Sequence, residues 1–152
     1  YALLDIQSQT RVAKMLGVDT TTIDLRTRQR GGSRRRGHPF ESWLRQLTLV
    51  RNKCAHHGRL WNTEVIPASS ASLRGIAGLE TLPSEQSTRI YGVLLMLAKI
   101  LETVSPGSSW ASKVRLLVHE HEVRNPCIRY PSMGFPDGWA IESIWNPGGN
   151  QE

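Results

Sequence analysis

The chain has 152 residues, 39 % of them hydrophobic and 21 % charged, which suits one folded domain spanning 1–152 and favours a folded globular class over disorder. Its net charge of +6 and pI of about 9.9 favour a polyanionic partner such as nucleic acid, because the charge is locally concentrated. Cys54 and Cys127 stand far apart and outside any C-x-x-C pair, so neither a disulfide framework nor a cysteine-rich zinc site is expected, and a reducing, cytoplasmic setting fits.

Tyr1 opens the sequence in place of Met, which reads as a fragment or a processed piece. Leu3, Leu4, Ile6, Val12, Ala13 and Leu16 recur near helical spacing and predict a first helix over Ala2 to Leu16, stopped at Gly17. Val18 to Ile23 is rich in Thr and β-branched residues and reads as a loop or short extended piece. An Arg/Gly-rich stretch over 24–39 follows, with RTRQRGGSRRR at its centre; nothing in it could bury a core, so an exposed loop is expected. Pro39 suits the first turn of a second helix, Phe40 to about His57, in which Phe40, Trp43, Leu44, Leu47, Val50 and Cys54 form the apolar stripe. Cys54 is expected to be a small core residue on that stripe.

Thr63 to Leu82 reads as a long connection. Pro83 and Ser84 open a helix to about Val104, whose interior Val93 to Ala98 is apolar all round, as suits the centre of a bundle. Its apolar run, Tyr91 to Ile100, is too short to span a membrane and holds Lys99. Ser105-Pro106-Gly107 breaks it, and Ser108 caps a further helix to roughly His121 with Trp110, Val114, Leu117 and Val118 inward. The tail from Asn125 is rich in Pro and Gly but carries Ile128, Tyr130, Met133, Phe135, Trp139, Ile144 and Trp145, which would be costly to expose and so should pack on the helices. The expected class is all-α, a helical bundle with an irregular Pro/Gly-rich C-terminal wrap.

The densest chemistry lies in Arg51-Asn52-Lys53-Cys54-Ala55-His56-His57-Gly58-Arg59-Leu60-Trp61-Asn62. Arg51 follows Leu44 by seven and Leu47 by four, so it projects from the apolar stripe, where a charge is expensive unless paired or used. Asn52 and His56, four apart, share a face. An imidazole can move a proton to or from an RNA 2′-hydroxyl or leaving oxygen near neutral pH, a guanidinium can hold non-bridging phosphate oxygens, and an amide can orient either. No metal or other cofactor is needed if the 2′-hydroxyl is the nucleophile. Cys54, His56 and His57 diverge on a helix and make a poor zinc site, and His119 and His121 do not share a helix face and read as solvated. Trp61 reads as an anchor for the helix end, with base stacking the alternative.

RNxxxH matches the catalytic motif of the HEPN superfamily, the pattern used by the RNase halves of type VI CRISPR effectors. The longer string RNKCAHHGRLWN resembles the hallmark of Abi-like proteins, the abortive-infection group usually called AbiD/AbiF, and Met133-Gly134-Phe135-Pro136 with Trp139 and Trp145 resembles that family's C-terminal signature. The resemblance implies a HEPN-like helical fold and a metal-independent endoribonuclease of a phage-defence or toxin–antitoxin system. It further implies a homodimer that brings two motifs together and an RNA or protein antitoxin. Carried over, Arg51, Asn52 and His56 are the catalytic residues. His57, Arg59 and Asn62 belong to the family string as RNA-binding or supporting residues, and Arg34, Arg35 and Arg36 of the basic loop are candidate phosphate contacts. Family members carry a substantial segment before the position of Tyr1, so the N-terminal part of the family fold is expected to be missing. The alternative is a non-catalytic HEPN-like module that binds RNA or a protein; a DNA-binding regulator is the weakest reading.

Overall fold

The computed structural model describes residues 5–17, 40–66, 68, 88–127 and 130–146. Helix α1 is Ile6–Met15, α2 is Phe40–Ala55, α3 is Ile90–Val104 and α4 is Trp110–Arg124. Three short 3-10 turns, Tyr130–Met133, Trp139–Ile141 and Ser143–Trp145, form the C-terminal wrap. The described residues contain no strand, and the class is all-α. None of their helices is long and apolar enough to cross a membrane.

Each helix end has a local cause. Asp5 caps α1 by accepting from the Ser8 backbone N–H at 2.8 Å, a bond that holds its carboxyl below the usual range. The chain leaves α1 at Gly17, whose φ of 65° suits glycine and where an added Cβ would stand 3.0 Å from Thr103 Oγ1. That proximity sets the C-terminus of α1 against the end of α3. Ser109, not Ser108, stands at the N-cap of α4 and makes no side-chain cap bond, so the expected cap is off by one residue; Ser108 accepts from the Trp110 N–H at 3.3 Å from just outside the helix. Asn125 ends α4 by returning both its backbone N–H and its Nδ2 to the His121 carbonyl, which carries the helix three residues past the expected end.

Helix α3 is the centre, as its all-round apolar interior requires. Ile90, Tyr91, Gly92, Val93, Leu95, Met96 and Ala98 are buried. It packs against α2, α4 and the last turn of the wrap. The wrap closes one end of this core with rings. Tyr91 lies 4.8 Å from Phe135, 6.0 Å from Trp145 and 6.4 Å from Trp139, mostly in tilted or edge-on arrangements that aromatic quadrupoles favour. The Tyr91 hydroxyl accepts from Trp145 Nε1 at 3.3 Å and donates to Glu142 Oε2 at 2.9 Å, so both buried polar ends are met.

Several expectations need correction. The helix expected from Pro83 begins, within the described residues, at Ile90; 81–87 lie outside them, as do residues 1–4 and the stretches 18–39 and 69–80, where loops and a long connection are expected. Leu117, expected inward, is 70 % exposed. Ala111, Val114 and Val118 define the packed line of α4, and one residue step, about 100° of helix, swings Leu117 off it. Cys54 is exposed rather than in the core. The buried residues of α2 are Phe40, Trp43 and Gln46, all in its first two turns, so the C-terminal half of the helix runs past its packing partners. For the same reason Arg51 is exposed and does not rise from a buried stripe.

Candidate functional site

The end of α2 and the turn after it form a compact, mostly exposed structure. Arg51 Nη1 donates to the side-chain carbonyl of Asn52 at 2.8 Å, and among the described residues no carboxylate pairs with Arg51. The Asn52 backbone carbonyl accepts from the His56 N–H at 3.0 Å, which places His56 one helical turn beyond Asn52. The three residues expected to carry chemistry are thus gathered at one helix end, with Arg51 and His56 both exposed.

The helix is terminated by two bonds: Gly58 N–H to the Lys53 carbonyl at 2.7 Å, and His57 N–H to the Cys54 carbonyl at 2.9 Å. This 6→1 plus 5→2 pattern needs a left-handed residue between the helix and Gly58. That residue is His57, at φ 53°. Gly58 is required for a different reason: a Cβ there would meet Lys53 Cγ at 2.6 Å and the Lys53 carbonyl oxygen at 2.9 Å. The other left-handed non-glycine among the described residues is Asn62, at φ 48°, so both fall in this one stretch. A histidine held left-handed costs roughly 1–2 kcal/mol, and such strain collects where a site needs its geometry.

The turn over 59–63 is tied back to the helix. Lys53 Nζ donates to Thr63 Oγ1 at 3.1 Å, Thr63 Oγ1 donates to the Arg59 carbonyl at 2.9 Å, and the Thr63 N–H reaches the Leu60 carbonyl at 3.2 Å. Beyond it, buried Gln46 of α2 donates from Nε2 to the Ile66 carbonyl at 2.6 Å, and the Val65 N–H bonds the Thr88 carbonyl at 3.0 Å. Trp61 is half-buried and meets Tyr130 edge-on at 6.0 Å, the anchoring role expected of it. Tyr130 OH lies 2.7 Å from His121 Nδ1. Burial, with the negative charge of Glu122 adding to it, pushes the Tyr130 phenol up, so it keeps its proton. His119 and His121 are both exposed, as expected, and the His121 ring in addition meets Tyr130. The sequence carried no sign of this, because the partner lies nine residues on, across a helix end.

His57, Arg59 and Asn62 are exposed around the turn. Arg34, Arg35 and Arg36 lie outside the described residues. Cys54, His56 and His57 do not form a metal-holding group, and among the described residues no cluster of three such side chains does. The contributions of Lys53 and Thr63 were not read from the sequence. A lysine in a basic string reads as one more cation, and its partner ten residues away follows no helical spacing.

The fold and the site define an all-α chain presenting Arg, Asn and His together at an exposed helix end. Residues 1–62, 62 of the chain's 152, match the family model described as Abi-like protein, and that stretch is similar to it. The match ends at Asn62 and takes in the whole string from Arg51; Met133 to Pro136, Trp139 and Trp145, which also carried the resemblance, lie beyond it. No curated protein and no solved structure matches the chain.

Proposed function

We propose that the chain is a HEPN-type endoribonuclease of a phage-defence or toxin–antitoxin system, cutting RNA without a metal ion. The observation that carries this reading is the gathering of Arg51, Asn52 and His56 at one exposed helix end, with the guanidinium held by an amide and, among the described residues, not paired with an acid. The Abi-like match over residues 1–62 supports the phage-defence setting.

In the proposed reaction the His56 imidazole takes the proton of an RNA 2′-hydroxyl. The 2′-oxygen bonds to the adjacent phosphorus while the bond to the 5′-oxygen breaks. That oxygen leaves with the proton returned by the His56 imidazolium, giving 2′,3′-cyclic phosphate and 5′-hydroxyl ends. Arg51 balances the charge that grows on the non-bridging oxygens, and Asn52 fixes the fork of the guanidinium. His57, Arg59 and Asn62 line the approach, with the Arg34–Arg36 run adding sequence-independent phosphate contacts. A homodimer would set two such motifs at one cleft, and an antitoxin would restrain it.

Arg51→Ala and His56→Ala test this reading directly. Each should lower cleavage of end-labelled RNA by about 10²- to 10⁴-fold, the usual weight of a proton-transfer or charge-stabilising group, while circular dichroism stays native. Unchanged cleavage in both variants, or activity that vanishes in EDTA and returns with added metal, would overturn it.

A further inference from the structure

The string Arg51 to Asn62 offers three cations, and their surroundings differ. Arg51 and Arg59 are exposed. Lys53 is half-buried, and its ammonium donates to Thr63 Oγ1 at 3.1 Å. That hydroxyl is already oriented, because it donates its own proton to the Arg59 carbonyl at 2.9 Å. The backbone of Lys53 takes part as well, since its carbonyl receives the Gly58 N–H at 2.7 Å, and its side chain lies where a Cβ on residue 58 would stand. Lys53 thus grips the chain at two places, 58 through its carbonyl and 63 through its ammonium. Between them lies the segment that leaves the left-handed His57 and bears Arg59.

A strained His57 persists only if its surroundings over-determine it. The two bonds that end the helix do part of this, and the Lys53–Thr63 contact closes the loop around them. We infer that Lys53 and Thr63 are positioning residues for the proposed cleavage: they clamp the 58–63 turn, hold His57 left-handed, and so fix His56 above Asn52. Lys53 is therefore not a phosphate contact, although it stands in a basic string. This inference rests on the nuclease reading for its kinetic consequence but not for its geometry.

The test uses the full chain with Lys53→Met, Thr63→Val, Thr63→Ser and the Lys53→Met/Thr63→Val pair. Thr63→Val keeps shape and charge and removes only the hydroxyl. It should lower kcat by roughly tenfold or more, as small misplacements of reacting groups do, and leave KM within about twofold. Thr63→Ser should restore kcat, and the double variant should be no slower than the slower single one, as two halves of one contact require. The amide-to-α-proton coupling of His57, read by NMR, should move in Thr63→Val and return in Thr63→Ser. A Thr63→Val protein with native kcat and native His57 coupling overturns the clamp. So does a Lys53→Met protein whose KM rises while kcat holds, which would make Lys53 a phosphate contact. If the unaltered chain cuts no RNA in EDTA, the nuclease reading falls, and the His57 coupling alone decides the clamp.

Discussion

His57 and Gly58 divide a task that one glycine performs at many helix ends. The sequence Ala55-His56-His57-Gly58 reads as a helix running to its glycine, and the helix instead ends at Ala55 with the reversal at His57. Periodicity registers which residues are apolar, not the sign of φ, so the position of the turn was not legible, whereas the glycine itself was. Two substitutions separate the roles. His57→Gly removes the left-handed strain and should raise stability by about 1 kcal/mol, seen as a higher melting temperature. If His57 is held there for function, cleavage should fall in the same protein; a lower melting temperature would mean the imidazole makes contacts that outweigh its strain. Gly58→Ala forces a Cβ to within 2.9 Å of the Lys53 carbonyl oxygen, which side-chain motion cannot relieve. It should destabilise by about 1–3 kcal/mol in chemical denaturation.

Among the elements, α3 and the C-terminal wrap were the most legible, because each announces itself by apolar weight. Phe135, Trp139 and Trp145 are buried as expected, although Ile141 in the same segment is 85 % exposed. What the pattern could not give is the polar stitch inside the rings. Tyr91→Phe deletes the hydroxyl that receives Trp145 Nε1 and meets Glu142, leaving buried polar groups without their partner. The cost should be about 1–3 kcal/mol, measured by denaturant midpoint. Glu142 adds a pH dependence. Burial pushes its carboxyl above the usual range, while the bond from Tyr91 works the other way. The folded state therefore binds the proton more tightly than the unfolded chain does. Its contribution is fully present below the ordinary carboxylate range and is lost as pH rises through the elevated value. Between mildly acidic and neutral pH, Glu142→Gln should flatten the decline in stability that the unaltered protein shows; an unchanged slope would remove Glu142 as its cause. Helix α2 shows the opposite limit of legibility. Its stripe predicts burial along its whole length, yet burial stops at Gln46, because spacing does not say where the neighbouring helix ends.

Over the whole molecule, a net charge of +6 favours an anionic strand. Such binding should weaken steeply with salt. Deleting one cation that pairs with a phosphate should reduce the slope of log affinity against log salt by about 0.7 for single-stranded RNA. Arg59→Ala should show that reduction. Lys53→Met should change the slope far less, since its ammonium is already engaged with Thr63. The gathering of Arg51, Asn52 and His56 was legible because those three lie on one continuous piece of chain, where helical geometry alone brings them together. The contacts that support them cross from Lys53 to Thr63, from Trp61 to Tyr130 and from His121 to Tyr130, and only folding reveals such pairs.

The most direct trial of the central claim is to identify the ends left when the unaltered chain cuts a defined RNA in EDTA. Attack by the 2′-hydroxyl under His56 and Arg51 predicts 2′,3′-cyclic phosphate and 5′-hydroxyl ends, and no cut at a position whose ribose lacks the 2′-oxygen. Fragments ending in 3′-hydroxyl and 5′-phosphate, or cleavage at a 2′-deoxy position, would contradict it.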